Sequence, residues 1–263
     1  MRGRRLAAFA AAAIVGALVA PALLWTHGGD SNTAARPAPL ALPAPIKPAF
    51  TVKTPKPLTG GAAPALWAPV QRSVVARSRP GAGTAVARLE LETPEGTSNL
   101  VLLAGRPLRV AGRLWVPVRL PVLPNNTIAW VPRSALGGYV AVTTRLVVDL
   151  EHLRATLYRR GRPIFTADVG VGTSDAPTPR GEFYIRDQLT RFRSPFYGPI
   201  AFGTSARSAV LTDWPLGGYV GIHGTSEPQL LPGRVSHGCI RMRNDDIVRL
   251  ARLMPIGTPL TIR

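Results

Sequence analysis

Between residues 70 and 138 the chain cannot sustain a long regular element. Its apolar runs are short, rich in β-prone residues, and broken in turn by glycine, proline or asparagine. Residues 84–89, 100–103, 107–110, 114–118 and 128–131 read as strands on this pattern. Strands so short and so closely spaced predict a small barrel over 70–138. The fold class expected for the chain is therefore mainly β, with few helices.

The C-terminal part continues the pattern from residue 143. Residues 145–150, 155–158, 163–169 and 183–185 read as strands, and Gly161 sits in the turn before the third. One helix is expected late. Asn244 is placed as its N-cap, Asp245 and Asp246 favour its positive start, and Ile247, Leu250, Ala251 and Met254 follow at helical spacing. Pro255 ends it, and residues 260–262 read as a terminal strand.

The first 69 residues differ in kind. Arg2, Arg4 and Arg5 precede an uncharged run over 6–26, the pattern of a signal peptide or signal anchor over 1–27. Pro21 inside Ala20-Pro21-Ala22 makes a poor cleavage site, which favours an uncleaved membrane anchor. Residues 28–69 are dense in proline and read as an extended linker. The expected location of the remainder is extracytoplasmic, in the cell envelope. The formal charge of +18 suits attraction to a polyanion or a generic basic surface. The basic residues are spread along the chain and no nucleic-acid-binding motif is present, so nucleic acid is not an expected partner.

Cys239 is the only cysteine in the chain. In an exported protein a lone thiol cannot form an internal disulfide, so reactive use is favoured. A free thiol titrates near pH 8.5 and needs a base or a positive neighbour to act as a nucleophile. His237 lies two residues away; on a strand both side chains would share one face, but a fixed backbone hinders a direct linear hydrogen bond. His223 lies far enough upstream for the chain to turn and bring a second strand alongside. Reach favours His223 as general base and His237 as a positioning residue. The carbonyl of Gly224 is the nearest orienter for the second ring nitrogen of His223. Gly238 allows a sharp backbone turn, and the N–H groups of Gly238 and Cys239 would form an oxyanion hole. A buried inert cysteine remains an alternative. So does a metal site of His223, His237 and Cys239 with Asp213 or solvent, although no usual metal-ligand spacing is present. The histidine precedes the cysteine, which argues against papain-like and wall-lytic thiol peptidases.

Ile222-His223-Gly224-Thr225 and Ser236-His237-Gly238-Cys239-Ile240-Arg241-Met242 resemble the signature of the L,D-transpeptidase (YkuD-type) catalytic domain. Thr178-Pro179-Arg180-Gly181-Glu182-Phe183 is similar to a further element of that family. The resemblance covers 143–263. Residues 113–120 and 129–132 are similar to the closing hairpin of bacterial SH3-like domains, with Trp115 and Trp130 read as packing rather than ligand-binding. The family resemblance implies Cys239 as nucleophile, His223 as proton donor and acceptor, and Gly224 as its orienter. It implies that His237 and Gly238 shape the oxyanion region and that Ser236 and Arg241 line the site. Many members have asparagine where Arg241 stands. Phe196, Tyr197, Trp214 and Tyr219 approach His223 in sequence; Tyr197 and Trp214 are the candidates for the substrate groove, with ordinary packing as the alternative.

The implied reaction joins peptidoglycan stem peptides 3→3 through a Cys239 thioester, with no cofactor. Acylation by carbapenem-type β-lactams is implied as well. Water as acceptor would give an L,D-carboxypeptidase. A reading from a different class is a wall-binding scaffold whose catalytic domain is idle, against which the intact motif argues.

Overall fold

The alternating apolar residues of the C-terminal part close one face of a sheet, and the short runs before them close another. The computed structural model describes residues 64–190, 195–211 and 218–263, all within one compact unit from Pro55 to Arg263. The expected signal segment and most of the expected linker lie outside the described residues.

The first sheet is built from β1 (Ala65–Pro69), β2 (Val74–Arg77), β3 (Ala85–Leu89), β4 (Leu100–Leu103), β5 (Leu108–Val110), β6 (Arg113–Arg119), β7 (Ile128–Pro132) and β8 (Val140–Val142). Its order is β3-β2-β7-β6-β4-β1-β8, with β5 pairing on β6. Val101, Val116, Val118, Ala129 and Val131 are fully buried at its centre. Trp115 is buried opposite Pro132, and Trp130 is half-buried opposite Pro117 in the β6–β7 hairpin. Both tryptophans pack.

β1, β2 and β8 differ from the sequence reading. β1 lies inside the stretch read as linker. Pro64 and Pro69 flank its apolar centre rather than interrupt it, and an edge position for proline leaves a strand intact. β1 pairs with both β4 and β8, so the sheet runs from 65 to 142 rather than from 70 to 138. β2 also escaped the reading, because Val74-Val75-Ala76-Arg77 is a short, largely apolar run flanked by Ser73 and Ser78 rather than by glycine, proline or asparagine.

The second sheet begins with the antiparallel set β9 (Thr144–Asp149), β10 (Arg154–Arg159) and β11 (Arg162–Asp168). It continues through β12 (Gly170–Gly172), β13 (Gly181–Leu189), β14 (Ala201–Arg207), β15 (Tyr219–His223), β16 (Gly233–Ser236), β17 (Ile240–Arg241) and β18 (Pro259–Ile262). The order is β11-β10-β9-β18-β13-β14-β15-β17-β12-β16. Alternate residues Leu146 and Val148 of β9 point into the core, as do Ala155 and Leu157 of β10. α1 (Asn244–Leu253) covers this core with Ile247 and Leu250, each fully buried. Each such side chain contributes on the order of 2 kcal/mol. The N-cap is Arg243 rather than Asn244, and no side chain caps the helix.

The two sheets meet over a small apolar cluster of Leu100, Leu102 and Tyr184, flanked by Trp67 and Ile256. Polar contacts reinforce the junction. Tyr184 Oη donates to the Leu100 carbonyl at 3.2 Å. Asn125 exchanges two hydrogen bonds with the backbone of Arg207, at 2.7 and 3.0 Å. Tyr219 Oη donates to the Pro121 carbonyl at 3.2 Å. The N-terminal sheet is thus fixed to the strands that lead towards His223.

Candidate active site

β15 delivers His223 at its C-terminal end, and β17 lies parallel beside it, with His223 opposite Arg241. Cys239 immediately precedes β17. The two motifs, 16 residues apart in sequence, therefore become neighbours by strand pairing. His237 and Gly238 form a bend between β16 and β17 rather than part of a strand. The expected same-face alignment of His237 with Cys239 does not apply, because the chain turns there. Gly238 takes φ of +113°, a conformation that a side chain would strain.

Two residues hold this bend. Ser236 Oγ donates to the Cys239 carbonyl at 2.6 Å and accepts the Gly238 N–H at 3.1 Å. Thr178 Oγ1 donates to the Gly238 carbonyl at 2.8 Å and accepts the Gly172 N–H at 2.9 Å. Ser236 faces the site but spends its hydroxyl on the loop. The Gly238 N–H is engaged by that hydroxyl, which leaves Cys239 N–H as the remaining member of the expected oxyanion pair. Thr178→Val keeps the shape and strands two buried groups. It should lower stability by about 2 kcal/mol, measured by urea unfolding; an unchanged midpoint and slope would contradict the strut.

His223 is 2 % exposed. Its Nδ1 lies 2.6 Å from the Gly224 carbonyl. A carbonyl only accepts, so Nδ1 carries the proton and Nε2 presents its lone pair. Burial holds the imidazole down at about 4, against the opposing pull of the Gly224 hydrogen bond; the Arg241 charge adds to the depression. Burial pushes the Cys239 thiol up, while the Gly221 N–H and Arg241 act in the other direction. At neutral pH the pair thus rests as imidazole and thiol rather than as an ion pair.

Gly221 lies between the two groups and reports how close they come. It lies two residues before His223 and so on the same strand face. Its N–H donates to Cys239 Sγ at 3.4 Å. A carbon built on Gly221 would sit 3.9 Å from both Sγ of Cys239 and Cδ2 of His223. Thiol and imidazole therefore converge on one space. Asn244 was read as a cap; its Oδ1 instead accepts the Thr225 N–H at 3.0 Å and rests against Gly224. A side chain at Gly224 would meet that oxygen at 2.3 Å.

The walls come from the turn Pro195–Tyr197 and from β17. Tyr197 meets His223 edge-on at 4.7 Å between ring centroids. Arg241 lies 4.4 Å above the Phe196 ring and pairs with Glu227 at 3.2 Å. A cavity of about 50 Å³ is lined by Tyr197, Tyr219, His223, His237, Cys239 and Arg241. His237 is exposed at its mouth. Trp214 and Asp213 lie outside the described residues. Sequence reasoning missed Gly221 and the roles of Thr178 and Asn244. Only Gly221 left a legible signal, a glycine two residues before the proposed base.

A partly open cleft, a half-buried thiol, a buried imidazole with a fixed tautomer and a braced loop suit acyl transfer. Residues 143–262 match the family model of the L,D-transpeptidase catalytic domain, YkuD. The putative L,D-transpeptidase YkuD of Bacillus subtilis (strain 168) is 40% identical over 117 residues, 44% of this chain and 64% of that protein. The putative L,D-transpeptidase YkuD of Bacillus licheniformis is 36% identical over 118 residues, covering 45% and 64%. The chain thus spans a little under two thirds of the length of these relatives. An NMR structure of the catalytic domain of an E. faecium L,D-transpeptidase is 25% identical, with a TM-score of 0.36 and coverage of 46% of this chain and 96% of that one. The C-terminal part is thus similar to YkuD-type L,D-transpeptidase catalytic domains over 143–262, and it is mainly β with one helix among the described residues.

Proposed function

We propose that the chain is a peptidoglycan L,D-transpeptidase working through a thioester on Cys239. The observation that carries this reading is the convergence of Cys239 Sγ and the oriented His223 imidazole beside Gly221. Cys239 passes its proton to His223 Nε2 as sulfur attacks the carbonyl of the third residue of a tetrapeptide stem. The oxyanion meets the Cys239 N–H. The amide C–N bond then breaks, and Nε2 protonates the amine of the departing D-alanine. An amine of a second stem attacks the thioester, gives a proton to Nε2 and forms the 3→3 link. Sulfur leaves and regains its proton. The thioester conserves the acyl group's reactivity, so Cys239 and His223 suffice for each proton and bond. Acylation by carbapenem-type β-lactams at Cys239 belongs to the same reading.

The N-terminal sheet is an SH3-like module in this proposal. Residues 28–63 form a spacer and residues 1–27 a membrane anchor, which places the site outside the cytoplasm. The test is incubation of the chain with purified tetrapeptide stems, followed by mass spectrometry. D-alanine release with stem dimers is expected. Tripeptides without dimers would make it an L,D-carboxypeptidase, and no turnover would leave the idle scaffold.

A further inference from the structure

Charge is divided unevenly within the N-terminal module. Residues 64–142 carry nine arginines and no lysine against three glutamates, a net charge of +6. Glu90, Glu92 and Glu95 fall within six residues of one another, and Glu95 pairs with Arg186 of the second sheet. The rest of the module has no carboxylate side chain. β6 runs between two different ends. Arg119 leads to Pro121, which meets Tyr219, while Arg113 lies about 20 Å back along the strand.

At the Arg113 end a cavity of about 550 Å³ is lined by Arg113, Leu114, Pro132, Arg133, Ser134 and Leu136. The β6–β7 pairing shapes it: Trp115 stands opposite Pro132, so the 3₁₀ turn Arg133–Ala135 falls beside the start of β6. Among the described residues, neither a carboxylate nor an aromatic ring lines it. Arg133 is held in place there. Its Nη1 donates to the Leu136 carbonyl at 2.5 Å, and its guanidinium lies 4.5 Å over the Tyr139 ring. Its Nε and Nη2 have no partner among the described residues and are not sealed from solvent. A guanidinium fixed in this way loses little freedom when it binds an anion. Arg113 is exposed, and its side chain has no partner among the described residues. Arg109 stands opposite Leu114 in the β5–β6 pairing, hence on the same face. A two-residue turn at Ala111-Gly112, with both residues at positive φ, joins these two strands.

Three guanidiniums thus border one concave surface. A single small anion cannot reach all of them, whereas a chain with a charge in every repeat can. Arginine forks pair with phosphate through two parallel hydrogen bonds. The floor of Leu114, Pro132 and Leu136 suits the uncharged links between phosphates. A bilayer surface is flat and does not enter a concave one. Nucleic acid would call for rings on which bases stack, and the lining has none. We propose that this face docks a linear phosphodiester polymer with non-aromatic links, such as poly(glycerol phosphate). It lies at the end of β6 away from Tyr219, so the polymer holds the chain without filling the cleft at Cys239. Docking is independent of the transpeptidase reading.

The test titrates the full chain in detergent into end-labelled poly(glycerol phosphate) and follows fluorescence anisotropy. Log K should fall against log salt with a slope of about −2, as three phosphates are neutralised. Arg109→Ala and Arg113→Ala, both exposed changes, should each weaken binding by about fivefold. Arg88→Ala removes an exposed arginine of the same module beside Glu90 and should leave binding unchanged. Amide NMR shifts should map to Leu114 and Ser134. No binding, or a loss in Arg88→Ala equal to that in Arg113→Ala, would overturn the site, the latter by showing diffuse charge attraction. Competition by single-stranded DNA, or by anionic lipid in mixed micelles, as strong as that by unlabelled polymer would overturn the assignment of the ligand. If the polymer binds as expected while stems are untouched, the docking site stands and the proposed activity falls. If stems lose D-alanine while the polymer does not bind, the reverse holds.

Discussion

Alanine in place of Cys239 should abolish D-alanine release from tetrapeptide stems, a loss on the order of 10⁶-fold. Among the described residues, the thiol is the only nucleophile in the cleft that an oriented base serves. Ser236, its nearest hydroxyl competitor, is held by the Cys239 carbonyl and the Gly238 N–H. The replacement is also mild for the fold. Cys239 is half-buried and its sulfur makes one weak hydrogen bond, to the Gly221 N–H. Thermal stability should therefore change little while turnover disappears, and the covalent adduct with a stem or a carbapenem should vanish from the intact mass. Equal turnover by the variant would remove Cys239 from the mechanism.

His223→Gln should slow acylation of Cys239 by about a thousandfold. Glutamine can still donate to the Gly224 carbonyl but cannot accept and return the thiol proton. The effect is large because the resting thiol is protonated: burial pushes it up, so without a base there is little thiolate to attack. The same substitution should alter acid stability. Burial lowers the His223 pKa from 6.5 to about 4. The unfolded chain therefore binds a proton below pH 6.5 that the folded chain refuses. This contribution is complete above pH 6.5 and is lost as pH falls towards 4. The gap corresponds to about 3 kcal/mol. Urea unfolding of the two proteins should differ in its slope against pH across that window. Stem turnover by the native chain should also show no fall near pH 6.5, since the folded imidazole is still neutral there. A drop at pH 6.5, or parallel stability curves, would show that His223 titrates as an exposed histidine.

The strands of both sheets were legible where apolar runs are bounded by glycine and proline, as in β4, β6 and β10. β1 was not, because its flanking prolines look like those of the linker before it; only pairing with β4 and β8 distinguishes them. Asn244 satisfies every local rule for an N-cap, yet its oxygen serves Thr225, a partner 19 residues away. Local propensity carries no record of such a contact.

The sequence by itself pointed to the proposed chemistry. One cysteine, two His-Gly pairs and their spacing singled out the candidate thiol, the candidate base and the Gly224 orienter, because those properties belong to residue types and chain reach. Tertiary structure decided their state and setting. The low pKa of His223 comes from burial under neighbouring strands. The approach of the two groups comes from the parallel pairing of β15 with β17, and the Gly238 bend is held by Thr178 from another strand connection. Loops of the N-terminal module dock on β13 and β15, through Glu95 to Arg186 and Pro121 to Tyr219. Desolvation, close approach and docking depend on atoms distant in sequence, and they arise only when the sheets pack.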